Sequence, residues 1–213
     1  STPRELRLCY GTTADIRWFS VPEGFSGHIL NAYSEGDVVH VDATISPGSA
    51  FRFFRDVHGN PVDPRLGIPT ITRLSFDLAA GSNDPVRRTP FPGAMGELPR
   101  SDDRFQTLPY RYGFFKTQTG VARLDWQTME KTEHRLDDIG GSAQEPIFVP
   151  RSPDAPEGDG HVLTLVTFPK ENRCALYILD AMDMAGAPVA RVLLPFNLYS
   201  AFHGWFVPAA ELA

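Results

Sequence analysis

Six histidines are the residues best suited to chemistry in this sequence: His28, His40, His58, His134, His161 and His203. Local context separates them. His58 lies in the turn-like stretch Val57-His58-Gly59-Asn60, His134 in the charged run Lys131–Asp138, and His161 just after Gly160 at a strand start. A surface or structural role is expected for these three. His28 and His203 sit among apolar and small neighbours, in Phe25-Ser26-Gly27-His28-Ile29-Leu30 and Ala201-Phe202-His203-Gly204-Trp205. An imidazole taken out of water needs partners for both ring nitrogens. A metal ion on one nitrogen and a carboxylate on the other would supply them.

Two carboxylates stand out for the same reason. Glu97 lies in Met95-Gly96-Glu97-Leu98-Pro99 and Glu145 in Gln144-Glu145-Pro146-Ile147-Phe148. The residue before a proline is pushed toward an extended conformation. Glu145 should therefore open a strand, either exposed at its tip or paired. A different metal arrangement competes. His40-Val41-Asp42 is an H-x-D pair, and with His161 it would form a two-histidine, one-carboxylate iron centre. Arg173 would then bind the co-substrate of a 2-oxoglutarate-dependent Fe(II) oxygenase. On a strand His40 and Asp42 share one face, which equally suits a solvent-facing pair beside inward Val39 and Val41. The sequence holds no nucleophile elbow, phosphate-binding loop, dinucleotide glycine motif or zinc-protease helix motif. Cys9 and Cys174 are isolated, so both read as inert and no disulfide framework is expected.

These groups need a frame to position them. The 213 residues are 42% hydrophobic and 22% charged, which supports a packed core and excludes a generically disordered chain. A net charge of -6 with no basic stripe speaks against nucleic acid as a partner. No apolar run approaches the about 18 residues of a membrane span. Ser1 to Arg7 lacks the apolar segment of a secretory signal, and a cytoplasmic location is expected. Leu6, Leu8 and Tyr10 alternate almost from the first residue, which reads as a piece of a longer protein.

Strand-like runs recur at short spacing: Val38–Thr44, Arg73–Ala79, Tyr110–Thr117, Val121–Trp126, Pro146–Arg151, His161–Phe168, Ala175–Ala181, Val189–Leu194 and His203–Pro208. Turn signals separate them, including Thr119-Gly120 and Pro169–Arg173. This pattern predicts an antiparallel all-β fold: a sandwich, a barrel or a propeller. Asp183–Ala187 is the best helical candidate and is too short to matter. The proline-rich stretch Asn60–Ile71 reads as a surface loop or a lid.

Six segments run in one order along the chain: His28–Asp42 (HILNAYSEGDVVHVD), Arg73–Phe76 (RLSF), Gly96–Phe114 (GELPRSDDRFQTLPYRYGF), Glu145–Leu163 (EPIFVPRSPDAPEGDGHVL), Leu179–Pro195 (LDAMDMAGAPVARVLLP) and Phe202–Pro208 (FHGWFVP). Together they resemble the C-terminal half of a carotenoid cleavage oxygenase, nearest to the bacterial lignostilbene and stilbene dioxygenases. The resemblance implies part of a seven-bladed β-propeller, with residues 1–213 forming the C-terminal portion of a single propeller domain. It implies Fe(II) on the propeller axis, held by four histidines with no carboxylate bound directly. His28 matches the third ligand and His203 the fourth. Glu97 and Glu145 match carboxylates that orient those imidazoles through the other ring nitrogen, and His40 and Asp42 become structural. The family's first two iron ligands lie upstream of anything in this sequence, as do the Tyr and Lys that grip a phenolic stilbene.

The function implied is a non-haem Fe(II) dioxygenase. It would cleave a carbon–carbon double bond of a hydrophobic conjugated substrate, a stilbenoid or an apocarotenoid, with O2 to give two carbonyl products. Its activity would require the N-terminal half of the same enzyme as partner. Phe25 and Phe202, close in sequence to the two histidines, are candidate walls of the substrate pocket. Besides the 2-oxoglutarate oxygenase, the remaining alternative is a non-catalytic propeller fragment whose blade edges bind another protein.

Overall fold

The computed structural model describes residues 5–12, 15–22, 24–48, 55, 58–61, 63, 65–80, 86–198 and 202–212. Apart from three short 3-10 turns, their regular structure is all β, as the sequence predicts. The chain forms two compact units, Ser1–Glu97 with Gln106–Pro109 and Leu98–Phe105 with Tyr110–Ala213. Among the described residues no helix is long and apolar enough to cross a membrane.

In the first unit, β1 (Glu5–Thr12) and β2 (Asp15–Pro22) pair as an antiparallel hairpin. β3 (Phe25–Glu35), β4 (Val38–Ser46), β5 (Thr70–Asp77) and β6 (Arg87–Met95) follow as a four-stranded antiparallel sheet in chain order. β4 lies between two neighbours and is buried along almost its whole length. Val39, Val41, Ala43 and Ile45 join Phe19, Val21, Leu74 and Phe76 in the core. The intervening His40, Asp42, Thr44 and Ser46 are buried as well.

Burial of that second row corrects the solvent-facing expectation for His40 and Asp42. Polar groups in such a place must be hydrogen-bonded. Arg73, opposite Asp42 on β5, donates to both carboxylate oxygens at 2.8 Å. His40 meets Ser75 Oγ at 2.8 Å through Nδ1 and Glu35 at 3.3 Å through Nε2. Burial, reinforced by the Arg73 charge, pushes the His40 imidazole below its usual range.

In the second unit, β7 (Glu97–Ser101), β8 (Tyr112–Lys116), β9 (Gly120–Asp125) and β10 (Glu130–Arg135) form a sheet in the order β10-β9-β8-β7. β7 opens on the last residue of the first unit. β11 (Ser142–Ala143), β12 (Ile147–Pro150), β13 (Gly160–Phe168), β14 (Arg173–Asp180) and β15 (Ala190–Leu193) form the other sheet. β13 pairs with β14 on one edge and with β11 and β12 on the other. Its residues alternate strictly between buried and half-buried, the period of a strand with two distinct faces. Phe114 and Val121 of one sheet meet Phe148, Val162, Val166 and Tyr177 of the other in a shared core. The Phe114 and Phe148 rings stack at 5.2 Å and 7°.

Asp183–Ala187 forms no helix, as its length leads one to expect, but a single turn closed by the Gly186 N–H on the Asp183 carbonyl. Two expectations need correction. His203–Pro208 forms no strand, for a reason that its partners make plain below. The loop read as Asn60–Ile71 ends earlier, because Thr70 and Ile71 already belong to β5. Cys174 is a buried free thiol that donates to the Phe196 carbonyl at 3.2 Å, while the Cys9 side chain lies outside the described residues.

Two features of this unit set its stability. Phe114 is fully buried at the contact between the sheets. Phe114→Ala should lower the unfolding free energy by about 3–5 kcal/mol, read from the urea midpoint, with Phe114→Leu losing clearly less. Asp125 closes the β9–β10 turn, accepting N–H bonds from Gln127 at 2.9 Å and Thr128 at 3.2 Å and a bidentate Arg111. Burial raises its carboxyl, but the Arg111 and backbone donors outweigh this and hold it at about 2. A depressed carboxyl stabilises the fold above its unfolded value, near 3.8, and loses that contribution as pH falls toward 2. Asp125→Asn should therefore cost about 1–2 kcal/mol at pH 6, after discounting for the partly exposed Arg111. The gap should close on acidification, and a gap that stays constant with pH would refute the linkage.

Candidate functional site

His28 lies where β3 departs from its ladder. Pairing steps from Ser26↔Ile45 to Ile29↔Ala43 and then to Asn31↔Asp42, so β3 carries one extra residue in the step that spans His28 and another in the step after Ile29. Such bulges re-aim a side chain that a regular ladder would fix. The His28 N–H consequently donates to Thr44 Oγ1 at 2.8 Å. Glu97, the first residue of β7, follows β6 in the chain and meets β3 and β4. Its Oε2 accepts the Nδ1 proton of His28 at 2.7 Å, and its Oε1 accepts the Thr44 hydroxyl at 3.0 Å. The next residue, buried Leu98, has a φ of 55°, in the left-handed region that a side chain disfavours by roughly 1–2 kcal/mol. Backbone strain thus sits directly beside the carboxylate.

Glu145 is held differently. It lies two residues before β12, and its side chain is 5% exposed. Oε1 accepts the Nδ1 proton of His203 at 3.1 Å, and Oε2 accepts the Gly204 N–H at 2.8 Å. The carboxylate takes a backbone donor that a ladder would use, which explains why 203–208 is irregular. Arg100 on β7 supplies a neighbouring cation, with Nη1 at 3.9 Å from Glu145 Oε1 and the guanidinium over the Trp205 ring at 5.0 Å.

The structure therefore brings His28 together with Glu97 in one unit and His203 together with Glu145 in the other. In each pair the carboxylate fixes the tautomer with the proton on Nδ1, so the lone pair is on Nε2. A carboxylate on Nδ1 also makes the opposite nitrogen more basic. A neutral, oriented imidazole nitrogen is a donor that suits iron, zinc or copper. Among the described residues no cluster of three or more His, Cys, Asp or Glu could hold a metal ion. A cavity of about 320 Å³ opens beside His203, walled by Leu163, Leu165, Leu176, Phe202, Trp205 and Phe206. Phe202 is 72% exposed, so it does not pack in a core. The Phe25 side chain lies outside the described residues.

The alternative iron centre is not assembled. Both oxygens of Asp42 are taken by Arg73. His161 and Arg173 lie at opposite ends of one hairpin, opposite Asp180 and Phe168 respectively. Seven strand steps separate those ends, about 23 Å. Arg173 is moreover paired with Glu171. His134 stands on the edge strand β10, and His58 is exposed in a turn.

Sequence reasoning missed Thr44 and Arg100. Thr44 looks ordinary in a β-branched strand. Arg100 offered one signal, a lone cation between residues that are buried on either side.

Residues 3–208 match the family model described as RPE65, retinal pigment epithelial membrane protein. The chain is similar to lignostilbene-alpha,beta-dioxygenase isozyme III of Sphingomonas paucimobilis, 32% identical over 94% of this chain and 45% of that protein. It is similar to isoeugenol monooxygenase of Pseudomonas putida, 38% identical over 91% of this chain and 44% of that protein. Among solved structures it resembles the lignostilbene dioxygenase of Pseudomonas brassicacearum, with a TM-score of 0.86 and 34% identity over 92% of this chain and 44% of that one. The chain thus spans less than half the length of each of these relatives. By its matched residues, its fold and these relatives, the chain belongs to the RPE65 family, that of the carotenoid and stilbene cleavage oxygenases.

Proposed function

We propose that this chain is the C-terminal portion of a non-haem Fe(II) dioxygenase that cleaves a carbon–carbon double bond of a conjugated substrate with O2, giving two carbonyl products. Both compact units belong to one seven-bladed propeller domain, completed by the N-terminal half of the same enzyme. The observation that carries this reading is the pair of imidazoles, each with its Nδ1 proton on a carboxylate, at 2.7 and 3.1 Å. Two relatives at 32% and 34% identity are lignostilbene enzymes, which favours a stilbenoid over an apocarotenoid substrate.

In this reading His28 and His203 are two of the iron ligands, and the upstream half supplies the others. When bound, Fe(II) supplies the means of activating dioxygen. Glu97 and Glu145 hold the Nδ1 protons and keep each Nε2 turned one way. Arg100 offsets the charge of the buried Glu145 and braces Trp205. Phe202 and the leucines beside it offer an apolar wall on which a greasy substrate displaces water.

Two experiments test this. In the full-length protein, His28→Ala and His203→Ala should each abolish iron retention and turnover; normal iron content and turnover in either variant would end that assignment. Independently of metal, Glu145→Ala should free the segment after His203. Loss of a hydrogen bond to a charged acceptor, about 1.5–3 kcal/mol, should speed hydrogen exchange at the Gly204 amide about tenfold or more. An unchanged rate would show that the carboxylate does not anchor this segment.

A further inference from the structure

We infer that Gly27 and Thr44 are positioning residues: together they form a seat that fixes the Glu97 carboxylate, and through it the His28 imidazole. The inference rests on reading His28 as a metal ligand.

Thr44 is completely buried on the polar side of β4. Its hydroxyl has one proton and two lone pairs. It accepts the backbone N–H of His28 at 2.8 Å and donates to Glu97 Oε1 at 3.0 Å. The other carboxylate oxygen accepts the Nδ1 proton of His28 at 2.7 Å. These bonds close a ring that runs from the His28 backbone through the Thr44 hydroxyl and the Glu97 carboxylate to the His28 side chain. The main chain and the imidazole of one residue are thereby tied to a single carboxylate. Turning the imidazole about χ1 or χ2 would break a charge-assisted hydrogen bond, the stronger class.

Gly27 has a different reason to be glycine. Its φ is not in the left-handed region, and it is exposed, so neither backbone conformation nor core packing requires it. A Cβ at this position would overlap Glu97 Oε1 and stand 2.6 Å from Thr44 Oγ1. The missing side chain is the space that the carboxylate occupies. Glu97 Oε1 is the far end of a flexible side chain and can move, whereas Thr44 Oγ1 belongs to a stiff, fully buried side chain. Alanine at position 27 should therefore move Glu97 off its seat at some cost to the fold, and Thr44→Ser, which keeps the hydroxyl, separates orientation from folding.

The test uses full-length protein with Gly27→Ala, Thr44→Val, Thr44→Ser and His28→Ala, stripped of metal and titrated with Co(II). Gly27→Ala and Thr44→Val should weaken Co(II) binding about 10–100-fold, the usual loss when a ligand's supporting group is removed, and should alter the cobalt d–d bands. Thr44→Ser retains the hydroxyl and should stay within about threefold of the parent. In the metal-free protein, the Nδ1–H resonance of 15N-labelled His28 should be protected in the parent and in Thr44→Ser. It should be lost to exchange in Gly27→Ala, measured at a temperature where circular dichroism shows that variant folded. Parental affinity, bands and Nδ1–H signal in Gly27→Ala would overturn the seat, even if Thr44→Val fails to fold. Parental Co(II) binding by His28→Ala would instead overturn the ligand reading and this inference with it, whatever the Nδ1–H signal shows.

Discussion

A carboxylate with little access to water must find donors within the protein, and two carboxylates, the buried Glu145 and the half-buried Glu97, organise the irregular parts of this chain. Glu97 is satisfied by an imidazole and a threonine hydroxyl, and Glu145 by an imidazole and a backbone N–H. Each uses both oxygens, so each imidazole is held by a group that cannot itself rotate without loss. The backbone yields to this requirement. β3 bulges at His28 and again after Ile29, Leu98 takes a left-handed φ, and the segment after His203 gives its amide to a side chain instead of a strand. Departures from regular structure therefore collect around the two pairs.

Regular strands supply most of the holders, and irregular segments supply the imidazoles. Thr44 is on the central strand β4, Glu97 and Arg100 are on β7, and Glu145 enters β12 through an extended X-Pro step. A ladder directs alternate side chains to opposite faces at fixed angles, which suits a support. A bulge or an irregular segment can aim a side chain where no ladder position points. The cores behind the holders are apolar, with Val41 and Ala43 behind Thr44, and Phe148 and Val162 near the entry of β12. Such close-packed interiors are hard to compress and give the groups that stand on them a stiff base.

What was legible in the sequence follows from this division. Period-two alternation marked β13 and β14, where each face keeps one environment along β13 and along β14 from Ala175 onward. It missed β3, whose bulges break the period at His28. It also missed β6, which carries Pro90 and Pro92 and is tolerated as a strand only because it lies at the sheet edge. Apolar and aromatic content made 203–208 look like a strand, but the Gly204 amide is claimed by Glu145. His28, His203, Glu97 and Glu145 were conspicuous because a polar residue among apolar ones demands a partner. Thr44 escaped notice because threonine is at home in any strand. Arg100 escaped because its role depends on Trp205, far along the chain.

Each imidazole is matched with its carboxylate inside a single compact unit, His28 with Glu97 in one and His203 with Glu145 in the other. Tautomer and orientation are therefore local properties, set by hydrogen bonds that need nothing outside the unit. Metal affinity in the proposed site has a different origin. A single imidazole is a weak ligand, and strong retention comes from several that are presented together at high effective concentration. The sequence thus divides the problem in two. In the reading proposed above, short-range carboxylate–imidazole bonds would make each donor ready, and the upstream half would complete the site. A donor already in its binding orientation loses little further freedom when a ligand arrives, so on that reading the orientation set by Glu97 and Glu145 would contribute to metal affinity.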